Sequence, residues 1–519
     1  MATFSAESDN IGQSYVSRKS DAIPPLILLA DDWLSGLTLT TLPMEFIPEG
    51  IPMRHTTLSV VIEVIPASTA VVIELLEKLR AAQEQKPQAT DQSYDRLRNA
   101  VPMLHFMSIT VAPDALYDPL LVLEVNFDGE ESLFWDTLEA AIGLELRDVL
   151  RHCKQPSGNA GSLFEKVMQN GSKLGSLFSA LSVRPIVQHQ GNRGLGRQQI
   201  IQEGKLFNAV QVAVDALPVL PNDSAVVIHR NLRETLLPQF KWLGTLVQPR
   251  IDLREKRMDT CRLWAFGAAV VTIFFLAVLM IHLLLQALLP WPESVSGGMQ
   301  WGWQTTLFVF IAGAILASVA SLLRHLERTD SVNDAPRFDE DLLRDMAKRE
   351  DEISQNHMIS IVHIKPGMLR AALARLVLTA LGLWLRVTAQ DGYLASMRTI
   401  HFAHWAILNN GGRLMFHSNY DGSWESYLDD FIEKAHAGLT AAWTHGVGFP
   451  RTKWLFMDGA TQGRKFKDWA RYSMSPSQFW FSAYKNYSVN QIERHARIAQ
   501  GLRKSSLTLE EAQLWALDL

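Results

Sequence analysis

Five histidines lie close together in the last third of the sequence: His357, His363, His401, His404 and His417. Imidazole binds transition metals and haem iron, and the strand-like segments that carry these residues would bring some of them together in one sheet. We take His363, His401, His404 and His417 as candidate cofactor ligands. The sequence does not identify the cofactor, and haem is the one that we consider. The sequence has no H-E-x-x-H, C-x-x-C or G-x-S-x-G pattern, so it assigns no catalytic residue and no metal ligand.

A second pattern occurs twice, as Asn-Phe-Asp-Gly ending at Gly129 and as Asn-Tyr-Asp-Gly ending at Gly422. In the structural interpretation, Asp128 and Asp421 end a strand and cap the helix that follows, and each glycine permits the turn. The functional alternative is an anion or ligand site at two helix N-termini, formed by Asp128, Gly129, Asp421 and Gly422.

The elements around the two signatures follow the same order. Strand-like alternation at 57–65 and a helical pattern at 70–82 precede the first signature, and segments 358–364 and 368–385 precede the second. His105 and His401 are equivalent in this comparison, which favours a structural hydrogen bond at a strand edge. The order β-α-β-β-α predicts an α+β fold of two ferredoxin-like modules, with a last strand placed loosely at 451–457 in the second module.

Two long apolar segments separate the modules. The run 263–289 has no charged residue, and the run 305–323 is also uncharged and rich in small residues. Each is long enough as a helix to cross the hydrocarbon core of a bilayer. The sequence therefore predicts a transmembrane hairpin, and a buried helical hairpin in a soluble core is the alternative. A third segment, 368–385, is interrupted by Arg370 and Arg375 and fits a helix on the inner leaflet or packed on a sheet.

Basic residues flank the hairpin on its outer sides only. The connecting loop has no Lys or Arg, whereas the flanks carry Arg250, Arg254, Lys256, Arg257, Arg262, Arg324 and Arg328. The positive-inside rule then places both large flanking regions in the cytoplasm. We expect a multi-pass protein of the cell (inner) membrane with both termini cytoplasmic.

The chain divides into seven segments on these patterns. They are an N-terminal tail and lead-in (1–50), a first module (51–153), a helical linker region (154–258), the hairpin (259–326), a charged juxtamembrane helix (327–356), a second module (357–505) and a C-terminal tail (506–519). The net charge of -5 gives no reason to expect a nucleic acid as partner. We expect the lipid bilayer as partner and leave open a protein partner or a homo-oligomer.

Several blocks in the second module carry a family resemblance. They are 349–367, 399–405, the run from Ser418 to Leu428, and 448–452. Together they resemble a bacterial family of membrane-associated proteins with duplicated ferredoxin-like modules, sometimes described alongside Dyp-type peroxidases. The resemblance implies that fold. It implies haem only through the peroxidases, which carry a distal Gly-x-x-Asp-Gly loop. This sequence does not match that loop, because Asp458-Gly459 and both signatures lack the first glycine.

Two functions follow as expectations. The first is a membrane-anchored, cytoplasm-facing binding or assembly protein without an identifiable reaction. The alternative is a haem-dependent oxidoreductase related to the Dyp-type group, or an accessory module of one.

Overall fold

The long strands of the first half are buried on both faces. Every residue of Leu104–Ala112 and Leu120–Asp128 is buried, because one face packs on helices and the other on a second sheet. The elements of this half are β1 (His55–Glu63), α1 (Thr69–Glu84), α2 (Asp95–Ala100), β2 (Leu104–Ala112), β3 (Leu120–Asp128), α3 (Glu131–Leu150), α4 (Asn159–Asn170), α5 (Leu174–Leu181), β4 (Ser182–Val183), β5 (Val187–Gln190), α6 (Arg197–Ala216) and α7 (Ala225–Leu236).

Two long helices lead into the second half. They are α8 (Leu253–Leu288) and α9 (Gly297–Thr329). The remaining elements are β6 (Gln355–His363), α10 (Met368–Thr388), β7 (Ile400–Leu408), β8 (Arg413–Asp421), α11 (Trp424–Lys434), α12 (His436–Trp443), β9 (Thr452–Lys453), β10 (Met457–Asp458), α13 (Gly463–Ser473), β11 (Met474–Ser475), β12 (Phe479–Ser482), α14 (Val489–Arg503) and α15 (Leu509–Ala516).

This computed structural model describes most of the chain beyond its N-terminal segment. The described residues are 54–84, 95–114, 116–216, 224–245, 250, 253–288, 297–333, 340, 344, 348, 354–388, 392, 394, 397–408 and 411–519. The tail predicted at 1–50 and most of the charged helix predicted at 327–356 lie outside them.

The strands form two antiparallel five-stranded sheets, which gives a mixed α+β fold. The first sheet has the order β12-β2-β3-β1-β4, and the second has the order β11-β6-β8-β7-β5. Strand β12 comes from the C-terminal part of the chain, yet it pairs with β2, with Phe479 opposite Ile109. In the same way β5 comes from the N-terminal part and pairs with β7, with Val187 opposite Trp405. Each half of the chain therefore completes the sheet of the other half.

The two sheets face each other. Leu120 and Val122 of the first sheet share an apolar cluster with Ile359 and Met415 of the second, and Ser59 Oγ lies 3.1 Å from His404 Nε2 across the interface. The outer faces pack on helices, with Phe127 stacked on Phe134. A polar region occupies the other part of the interface between the sheets.

Among the described residues, three helices are long and apolar enough to cross a membrane. They are α8, the part of α9 from Gly302 to Thr329, and α10. Along α8 and α9 large apolar side chains face outward, among them Met280, which is 72% exposed, and Phe310, which is 71% exposed. Helix α10 instead packs on β5 and α8, as expected for the alternative in which this segment lies against a sheet.

Several sequence predictions need correction. The region 154–258, predicted to be a helical linker, also supplies strands β4 and β5. The strand that completes the second sheet beside β6 is β11 and not the predicted segment 451–457, because that segment contributes to the separate pair of β9 and β10. The segment 506–519, predicted to be a tail, contains α15, whose Trp515 is buried against α7 and α14.

Candidate functional site

A buried carboxylate lies in the polar region between the sheets. Glu124 on β3 has no exposed surface. Asn126 Nδ2 donates to its Oε1 over 2.7 Å, and Ser108 Oγ donates to its Oε2 over 3.2 Å. Because β2 and β3 pair with Ser108 opposite Glu124, both side chains point into the interface. These bonds come from neutral groups and leave the charge of the carboxylate without a cation.

Three histidines of the second sheet face this carboxylate. His357 Nε2 lies 3.5 Å and His417 Nδ1 lies 3.8 Å from Glu124 Oε2, and His404 Nδ1 lies 3.8 Å from Oε1. One ligand atom from each of Glu124, His357 and His417 can be chosen so that all lie within 4.8 Å of one another. The histidines stand on β6, β7 and β8, three adjacent strands that present alternate residues to the first sheet.

The ring nitrogens that face Glu124 lack hydrogen-bond partners. His404 Nε2 bonds to Ser59 Oγ and His357 Nδ1 lies 3.0 Å from Ser477 Oγ, so one nitrogen of each ring is satisfied. The other nitrogen of each ring, and both nitrogens of His417, are buried without a hydrogen bond within the described part of the chain. Buried polar atoms in native proteins rarely stay unpaired, so three such nitrogens facing one carboxylate point to a missing species.

Burial opposes protonation of two of these histidines. It lowers the pKa of His404 to about 4 and lowers the pKa of His417 well below its usual value. Burial also acts to raise the pKa of Glu124, but positive charge at the facing histidines acts more strongly and would hold that pKa below its usual value. A carboxylate facing His404 and His417, whose protonation burial opposes, is a donor set that a divalent cation can use.

A second histidine and carboxylate cluster surrounds Asp128. His55 Nδ1 and His105 Nε2 both lie 2.8 Å from Asp128 Oδ1. The other nitrogen of His105 lies 2.8 Å from the Tyr484 hydroxyl, and the Gly194 amide donates to His55 Nε2 over 3.1 Å. Within the described residues, His55 Nδ1 is the one ring nitrogen of this cluster that makes no hydrogen bond, whereas both nitrogens of His105 are paired.

Each signature aspartate joins a histidine to a distant helix. Asp128 Oδ2 accepts from the amide of Arg197, the first residue of α6. Asp421 Oδ1 lies 2.8 Å from His401 Nε2, and Asp421 Oδ2 accepts from the amide of Val489, the first residue of α14. The predicted structural hydrogen bonds of His105 and His401 are therefore confirmed.

The predicted capping of the next helix is wrong. The start of α3 has no side-chain cap, and Ser423 caps α11 with its own hydroxyl. The turn itself does need glycine, because φ is +87° at Gly129 and +81° at Gly422. Asp128 and Asp421 instead accept from the first amides of α6 and α14, whereas the alternative anion or ligand site was predicted at the helices that follow the signatures and stays a prediction.

The candidate histidines do not fit a haem. The rings of His404 and His417 stack with centroids 4.9 Å apart, and Ser59 of the opposite sheet touches His404 directly, so a porphyrin has no layer to enter. His401 is occupied by Asp421, and His363 lies elsewhere, with its Nε2 3.1 Å from Asp114. Of the four candidates, the structure brings together only His404 and His417.

Sequence reasoning missed Glu124 and left His357 without a role. A signal was present, because Glu124 and His417 each lie four residues before the aspartate of a signature. Corresponding positions thus hold a carboxylate in one half of the chain and an imidazole in the other.

In comparisons with known proteins, no family model matches this chain, and no curated protein is similar enough to count as a match.

Proposed function

We propose that this chain is a membrane-anchored, cytoplasm-facing protein that binds one first-row transition-metal ion between its two sheets. The observation that carries the proposal is Glu124 at the centre of three imidazoles whose facing nitrogens are buried and unpaired. The ligands would be Glu124, His357 and His417, with His404 as a fourth.

Charge is the first argument for a cation. Burying a carboxylate without a compensating charge is costly, and natural proteins pair such groups or bind metals with them. The charged or chargeable partners of Glu124 within 4 Å in the described part of the chain are the three histidines, and burial opposes protonation of His404 and His417. A metal ion would supply positive charge beside Glu124 without protonation of His404 or His417.

Geometry is the second argument. Ligand atoms bound at about 2.1 Å to a tetrahedral ion lie roughly 3.4 Å from each other. The oxygen-to-nitrogen distances of 3.5 to 3.8 Å at Glu124 are only slightly larger. Imidazole and carboxylate ligands suit Zn(II), Fe(II), Mn(II) or Ni(II) better than Ca(II), which takes oxygen ligands.

The anchor is supported by the outward faces of α8 and α9. Apolar residues such as Trp264, which is 76% exposed, have no protein to pack on in the described structure, and a bilayer is the solvent that accepts such a surface. We propose that both helices span the membrane and that their basic flanks keep the two sheets in the cytoplasm.

We also propose that the two halves are duplicated ferredoxin-like modules. The shared order of β1-α1-β2-β3-α3 and β6-α10-β7-β8-α11 supports this, as do the matching His–Asp pairs. Membership of the bacterial family described in the sequence analysis remains part of the proposal.

Metal analysis of the detergent-extracted protein tests the metal site. Wild-type protein is expected to contain about one transition-metal ion per chain by elemental analysis. After chelation, Co(II) should bind with visible d–d absorption bands. Glu124→Gln keeps the shape of the side chain and removes its charge, so it should abolish stoichiometric binding. His417→Gln should do the same through loss of a nitrogen ligand.

Asp128→Asn provides the matched control. It neutralises another buried carboxylate that contacts two histidines, so it should lower stability but keep the metal. Wild-type protein that neither copurifies with a metal nor takes up Co(II) would refute the site. Equal metal loss in Glu124→Gln and Asp128→Asn would mean that both act only through folding.

A further inference from the structure

A loop beside the inner end of α9 has an uncommon backbone. In the described part of the chain, positive φ at a residue other than glycine occurs at Trp454 (57°), Leu455 (70°) and Asp458 (62°). Left-handed backbone is sterically strained for a residue with a Cβ atom. Three such residues within five positions require strong contacts that hold the loop in place.

Those contacts come from the end of the second apolar helix. Glu327, one turn from the end of α9, is 1% exposed. Its Oε1 accepts from the Leu455 amide over 2.8 Å, and its Oε2 accepts from the Trp454 amide over 3.1 Å. Arg324 pairs with the same carboxylate. The loop is therefore fixed to α9 at the point where its uncharged run ends.

The loop turns its apolar side chains outward. Phe456 is 52% exposed, Met457 is 49% exposed and Trp454 is 38% exposed. The guanidinium of Arg324 lies 5.3 Å from the centre of the Trp454 ring, which places that indole level with the first charged residue after the apolar run. Tryptophan and arginine at this height are typical of the membrane–water interface.

We propose that residues 454–457 form a membrane-interface loop that inserts Trp454, Phe456 and Met457 into the headgroup region of the bilayer that holds α8 and α9. The occupant of this surface is lipid, because the loop continues the lipid-facing surface of α9. Exposed Arg451 and Lys453 flank the apolar side chains and suit anionic headgroups. The inference rests on the proposed anchor and adds a second contact with the bilayer.

Site-directed fluorescence in nanodiscs containing anionic lipid tests the loop. In a full-length Cys261→Ser background, buried Cys153 stays unlabelled, and a polarity-sensitive dye is attached to Phe456→Cys. Glu77→Cys on α1 is the exposed control, and Phe310→Cys reports on the span. The Phe456 label should be quenched by a lipid nitroxide near the headgroup and be about twofold less accessible to iodide than the Glu77 label. Met457→Cys repeats the measurement at the neighbouring position.

The outcomes separate the two proposals. Lipid quenching at Phe310 without quenching at Phe456 or Met457 would refute the loop and keep the anchor. Loss of lipid quenching at Phe310 would refute the anchor, and the loop with it. Quenching at both Phe310 and Phe456, with Glu77 open to iodide, supports the loop.

Discussion

Acid should weaken the fold through His189, a residue of the exchanged strand β5. The side chain is 6% exposed, and its Nε2 has no hydrogen-bond partner in the described structure. Burial lowers the pKa of His189 to about 3, whereas an unfolded histidine titrates near 6.5. The unfolded chain then binds this proton more readily than the folded chain. The free energy that neutral His189 contributes to stability is therefore fully present above about pH 6.5 and is lost as the pH falls towards 3.

The size of the effect follows from the difference in pKa. The folded and unfolded pKa values of His189 differ by about 3.5, which corresponds to an upper limit of roughly 5 kcal/mol in the free energy of unfolding. Between these two values, the free energy of unfolding changes by close to 1.4 kcal/mol per pH unit. Denaturant unfolding of the detergent-solubilised protein at a series of pH values measures this slope. His189→Gln removes the titrating group, and its stability should fall less steeply than that of wild type by that amount.

The exposed His436 on α12 provides the matched control, since His436→Gln should leave the slope unchanged. Other buried histidines titrate in both wild type and variant, so the comparison isolates His189. A His189→Gln protein with the wild-type slope between pH 6 and 4 would refute the reasoning, whatever its absolute stability.

Three further changes should alter stability in the same denaturant assay. Asp421→Asn removes the charge that holds His401 and the N-terminus of α14, so we expect the free energy of unfolding to fall by about 2 kcal/mol. An unchanged free energy would show that the amide replaces the carboxylate. Gly382→Ala places a Cβ 2.3 Å from the Ile186 carbonyl oxygen and should cost about 1–3 kcal/mol. Gly438→Ala, also in a helix, meets only a side chain at 3.9 Å and should cause no loss of stability. Asp330→Asn leaves buried Lys365 without its carboxylate at 2.8 Å, so we expect a loss of about 3 kcal/mol, and an unchanged midpoint would contradict the role of this ion pair.

The long elements were predictable because their patterns are local. Alternation at 57–65 and the matching segment 358–364 identified β1 and β6, and the apolar runs identified α8 and α9. The comparison of the two signatures identified the equivalence of His105 and His401, and the structure confirms that each bonds to the aspartate of its signature. These predictions needed only a few tens of residues at a time.

The exchanged strands were not predictable in this way. Strands β5 and β12 have four residues each, too few for a period to be read. Each pairs with a strand from the other half of the chain, and nothing local to 187–190 or 479–482 indicates a partner so distant. The aspartates were misassigned for the same reason, since Asp421 bonds to Val489 and not to the adjacent helix.

The proposed metal ion would bind between two sheets that each contain a strand from the other half of the chain. Glu124 comes from the first half of the chain and the three histidines come from the second, so neither half alone holds the ligand set. Strand β5 pairs with β7 beside His404, and β12 pairs with β2 beside Ser108. Separation of the halves would break both sheets and the donor set together. A bound ion should therefore stabilise the interface between the halves more than either half alone, and the short strands β5 and β12 should gain most protection from amide exchange when Co(II) is added.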